Sequence, residues 1–143
     1  MDFPQRLADL EREHKGGNPF DRATAFLDVH LKYAEVLKPK DPEAAILQYL
    51  LAEDCQSTIA SGATSGGEGC AYMTELYGIM GKRADTIEGI ADAATDATAA
   101  LNRLNEALAV WKQIHEDPND LGELTPAAGR MKRLKEKVAK RSR

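Results

Sequence analysis

The stretch from Cys70 to His115, CAYMTELYGIMGKRADTIEGIADAATDATAALNRLNEALAVWKQIH, contains no proline and decides the fold class. Apolar residues recur at helical spacing through it, at Met73, Leu76, Met80, Ala84, Ile87, Ala91, Ala94, Leu101, Leu104, Leu108 and Trp111. Read as one helix it would span roughly 70 Å at about 1.5 Å per residue. Gly78, Gly81 and Gly89 each weaken it by about 1 kcal/mol relative to Ala, so the expectation is a near-continuous rod whose weakest point, where it could kink or break, is near Gly81. The apolar stripe drifts slowly around the axis, the pattern of coiled-coil-like packing. Its centre, Ala91 to Ala100, offers small side chains where a core helix would carry Leu or Ile. A companion helix could approach closely along Ile87, Ala91, Ala94, Thr98 and Leu101, and a homodimer joined along this seam is the favoured assembly.

Working outward, residues 62–69 hold four glycines and no large apolar side chain, and read as a loop. Before them, residues 18–61 form a helix hairpin. Asn18-Pro19 and Asp41-Pro42 each supply a cap oxygen followed by a residue whose φ suits a first turn. Residues 1–17 read as a short peripheral helix ending at Gly16-Gly17, with Phe3, Leu7 and Leu10 on one face. After the long helix, expected over residues 70–116, Asp117-Pro118-Asn119-Asp120 closes it. Thr125-Pro126 then opens a basic terminal helix over residues 125–143, with Ala127, Met131, Leu134 and Val138 as a narrow apolar stripe. The expectation is an all-α bundle in one domain of 143 residues, the hairpin packed on the long helix and the terminal helices outside.

Composition agrees: 43% apolar and 29% charged residues suit a folded globular chain rather than a disordered one. No run approaches the roughly 20 apolar residues that cross a bilayer, and Asp2 follows Met1 where a signal peptide would be basic. No membrane association and a cytoplasmic location are expected, with Cys55 and Cys70 as reduced thiols.

Charge is segregated. Residues 126–143 carry eight Lys/Arg against Glu136 alone, a net +7, within a chain of net −4; the remainder is therefore −11. Asp85, Glu88, Asp92 and Asp96 fall on one helix face with no Lys or Arg between Arg83 and Arg103. Uncompensated carboxylates repel one another, so this strip reads either as a solvated face or as a dock for a basic partner, the chain's own tail or a neighbouring subunit's included. Arg130, Arg133, Lys137, Lys140 and Arg141 could contact a phosphate backbone, dock on an acidic protein face, or remain solvated. With no aromatic or amide side chain for stacking or base-edge contacts, any nucleic-acid binding would be weakly selective.

Signals for catalysis are thin. Cys70 at a helix start is a weak candidate nucleophile, because catalysis also needs a base in reach and His14, His30 and His115 show no local signature. Glu11-x-x-His14 has the spacing of half a di-iron motif, but one copy among charged neighbours makes no metal site. His30 lies on an apolar row and reads as a hydrogen-bonded core histidine. The glycine-rich loop lacks the Gly-Lys-Ser/Thr ending of a phosphate cradle. No cofactor is expected. These readings favour a non-enzymatic helical interaction or assembly module with a protein partner or a second copy. The alternative is a nucleic-acid accessory protein acting through the terminal helix, and a cysteine-dependent enzyme ranks third.

Overall fold

The computed structural model describes residues 1–119 and 121–142; Asp120 and Arg143, counted above with the closing turn and the basic tail, lie outside them. Every regular element among the described residues is helical. In order these are α1 (Phe3–Glu13), α2 (Pro19–Leu37), α3 (Pro42–Ser61), α4 (Gly66–Ala93), α5 (Ala97–His115), a 3-10 turn (Leu121–Leu124) and α6 (Ala127–Arg141). None is long and apolar enough to cross a membrane.

The capping signals do what their chemistry requires. The carboxylate or amide oxygens of Asp2, Asn18 and Asp41 accept from the amides of Gln5, Phe20 and Ala44, satisfying donors that a helix start leaves unpaired.

Two expectations are corrected. The helix expected over residues 70–116 is two helices, broken at residues 94–96 and not at Gly81. Asp96 leaves the helical conformation and its carboxylate accepts from the Ala99 amide at 2.8 Å, starting α5 afresh. The physical cause is burial: Leu104, Trp111 and Ile114 each need cover, and folding back supplies it from the same chain. Gly81 stays inside α4 because Trp111 packs against it, where a Cβ would sit 2.7 Å from the indole ring. Second, the glycine-rich loop is shorter than expected. Ser65 Oγ accepts from the Glu68 amide and Glu68 reaches back to Thr64, so Gly66 to Gly69 already belong to α4.

Contacts divide the chain into two compact units, residues 1–76 and 77–143. In the first, α2 and α3 lie antiparallel. Glu35 meets Tyr49 near the turn, and Phe20 meets Gly62 at the far end, where only a missing Cβ admits the ring. α1 runs back along α2, with Phe3 stacked on Tyr33 and Leu10 packed on Phe26 and Val29.

In the second unit, Tyr77 meets Asp117 and Gly81 meets Trp111, so α5 runs antiparallel to the later part of α4. Ala84, Ile87, Ala91, Ala100, Leu104, Ala107 and Leu134 are buried in this unit. Ile87 and Ala91 of the expected dimer seam are thus sealed within the chain, Ala94 and Leu101 are half-buried, and Thr98 alone is exposed. Ile87 and Ala91 therefore offer no surface to a second copy.

Candidate functional site

Asp85, Glu88 and Asp92 stand at i, i+3 and i+7 on α4, and Arg130, Arg133 and Lys137 repeat that spacing on α6. Each spacing places three side chains on one face, and the two rows come into register when the helices run parallel. They do. Arg130 pairs with Asp85, Arg133 with Glu88, and Lys137 with Asp92, always 45 residues apart.

The middle rung is the tightest. Arg133 grips Glu88 with both Nε, at 3.0 Å, and Nη2, while Lys137 Nζ donates to Glu88 Oε2 at 2.6 Å and to both Asp92 oxygens at 3.0 Å. The Glu88 side chain is only 6% exposed, against 43% for Arg133 and 32% for Lys137. Burial alone would raise the Glu88 pKa, but hydrogen bonds and charge from Arg133 and Lys137 outweigh it and hold the carboxyl below its ordinary value. Hydrogen bonding to Glu88 raises Arg133 in turn. Lys137 is also raised, because Glu88 and Asp92 more than offset its desolvation. On the outer rung, Arg130 Nε and Asp85 Oδ1 lie 3.0 Å apart but out of hydrogen-bonding alignment, and the bond is Nη2 to Oδ2 at 3.2 Å. The Arg130 guanidinium also sits 5.8 Å from the Trp111 ring centre. Under the ladder, Ala127 and Leu134 are completely buried, so α6 is held by a narrow apolar strip with an ionic edge.

The remaining sequence candidates do not join this cluster. Asp96 caps α5, and Lys140 and Arg141 are exposed at the end of α6. Cys70 is an exposed free thiol in the second turn of α4; Cys55 is free and half-buried, its pKa raised by burial first and by Asp54 next. Glu11 pairs with Arg22, and His14 ends α1 as its cap. His30 is a buried, hydrogen-bonded histidine, its Nδ1 2.7 Å from Gln48 Oε1, with burial lowering its pKa. His115 ends α5.

Sequence reasoning missed the part played by Asp117. Its buried carboxylate accepts from the Tyr77 hydroxyl and from the amides of Asn119 and Leu121, shaping the turn that returns the chain toward α6. The Tyr77 bond, more than its desolvation, keeps the Asp117 pKa low, while burial and Asp117 push the Tyr77 hydroxyl up to about 12. The available signal was Asp117 two residues before Asn119, an Asx-turn spacing. No protein-family model, curated protein or solved structure matches this chain.

Proposed function

We propose that the chain is a non-enzymatic helical interaction module whose acidic α4 face receives a basic amphipathic helix. In the free chain α6 fills that face; in the assembled state a partner's helix of the same chemistry replaces it. The observation that carries this reading is the three-rung register of α4 and α6, with equal spacing of opposite charges on both helices. Such a face selects a ligand by charge pattern, and a helix with cations at i, i+3 and i+7 beside a small apolar stripe satisfies it. Exchange is favoured by how α6 is held. Two of its three ladder cations are about one-third exposed and the third more so, which makes the contact sensitive to salt.

The test uses the intact chain and a fluorescently labelled peptide of residues 125–143, followed by anisotropy. Saturable binding that weakens as salt rises, and that unlabelled peptide competes away, is the expected result. Absence of binding at high micromolar peptide would refute the proposal. Charge reversal of Glu88 alone is a poorer test, since it also releases the chain's own α6.

A second reading rests on the opposite face of α6. Lys132 and Lys135 are exposed there and have no ion-pair partner among the described residues, with Glu136 beside them; Lys140, three residues beyond Lys137, continues the ladder row. This face suits a phosphate backbone. Titration with duplex DNA or RNA separates the readings, because phosphate binding would be weakened in Lys132→Ala/Lys135→Ala while peptide binding to α4 would not.

A further inference from the structure

The first unit carries a feature that the charge ladder does not use. Between α1, α2 and α3 lies a cleft of about 520 Å³, within the usual size range for small-molecule sites. Leu7, Ala23, Phe26 and Leu51 make its walls largely apolar, and its polar groups are few enough to examine singly.

Arg22 is already committed. Its guanidinium donates to Glu11 and stacks 4.5 Å above the Phe26 ring. An anionic ligand would have to displace Glu11 to reach it. Asp54, on α3, is exposed at the cleft and its carboxylate has no ion-pair or hydrogen-bond partner among the described residues. The lining therefore carries Glu11 and Asp54 against Arg22, a net negative charge with its unpaired member facing outward. His30 also lines the cleft. Its Nδ1 lies 2.7 Å from Gln48 Oε1, so that nitrogen is engaged. Burial keeps this ring neutral. Cys55 remains a protonated thiol because burial raises it. Asp54 thus stands at the rim of an apolar cleft as a carboxylate with no protein donor, and the cleft's one cation, Arg22, is already engaged.

We infer that this cleft binds a small apolar amine, its ring or short alkyl body held between Phe26 and Leu51 and its ammonium paired with Asp54. The ligand class follows from the unmet groups: an unpaired carboxylate and apolar surface call for a donor-bearing, apolar cation. The inference is independent of what binds at α4.

The experiment is a titration of the 15N-labelled 143-residue chain with 2-phenylethylamine, using 3-phenylpropanoate as the anionic counterpart of similar shape. Saturable shifts confined to residues of α1, α2 and α3 around the cleft are expected with the amine and not with the acid. Asp54→Asn, on an exposed helical position, should weaken binding about tenfold, the loss of one charge-assisted hydrogen bond at a partly wet rim. Ala8→Trp, which fills the cleft from the exposed side of α1, should abolish binding while leaving shifts elsewhere in the spectrum unchanged. Equal binding of amine and acid would overturn the inference, as would an Asp54→Asn affinity unchanged from the parent or failure to saturate with the amine.

Discussion

Replacing both cations that hold Glu88, as Arg133→Met/Lys137→Met, should destabilise the second unit in a manner that depends on pH. Methionine keeps much of the buried stem of each side chain, so the change isolates the charge. Stranding a fully buried carboxylate costs about 3–5 kcal/mol. The ladder is wetter than that limit, with Arg133 43% and Lys137 32% exposed, while Glu88 itself is almost fully buried. A cost of about 2–3 kcal/mol at neutral pH follows, above the range of exposed pairs and below that of a sealed one. The sign with pH is fixed by the direction of the Glu88 shift. In the parent chain its pKa is held below the ordinary value near 4.5, so its contribution is complete above that value and is lost as pH falls through the folded-state pKa. In the variant the carboxyl is buried without a cation and its pKa rises, so acid relieves the penalty. The destabilisation should therefore shrink to under about 1 kcal/mol near pH 3. Trp111, the sole tryptophan, is buried in the second unit and reports its urea unfolding by fluorescence. Equal destabilisation at neutral and acid pH would refute the reasoning.

Other perturbations probe the same fold. Gly81→Ala should destabilise by about 1–2 kcal/mol despite its better helix propensity, because the new Cβ meets the Trp111 ring; Gly89→Ala, with open space around it, should stabilise by up to about 1 kcal/mol. Urea titrations of the two variants check both signs. Leu134→Ala, at a completely buried position, should cost about 2–5 kcal/mol and expose the α6 lysines and arginines to trypsin, read as the rate of cleavage in limited proteolysis. Because Tyr77 titrates near 12 instead of 10, it contributes stability that is complete below pH 10 and lost as pH rises through about 12. Tyr77→Phe should remove that alkaline dependence, seen by comparing denaturant midpoints between pH 9 and 11.

Much of the local structure was legible because its causes are local. Asn18-Pro19 and Asp41-Pro42 begin α2 and α3 as their cap chemistry dictates, and the short connection between those helices leaves an antiparallel hairpin as the available arrangement. Asp96 caps a helix with the same chemistry, yet was passed over because the surrounding alanines favour helix on both sides and no proline marks the break. Ser65 and Glu68 carry a capping-box signature that the glycine content of the segment obscured.

The two charged rows and their matching intervals are properties of the chain read one residue at a time, as are the helices that display them. Their meeting is not. Bringing Glu88 to Arg133 requires the reversal at residues 94–96 and a second one after α5, shaped by Asp117. Both reversals depend on burial between segments far apart in the chain. Propensity acts over a turn or two and can name a helix and its apolar side; only the competition among faces for cover selects the neighbour. Here it turned an apparent rod with an open alanine flank into a folded-back pair that covers much of its own flank, and placed the basic helix on the acidic one.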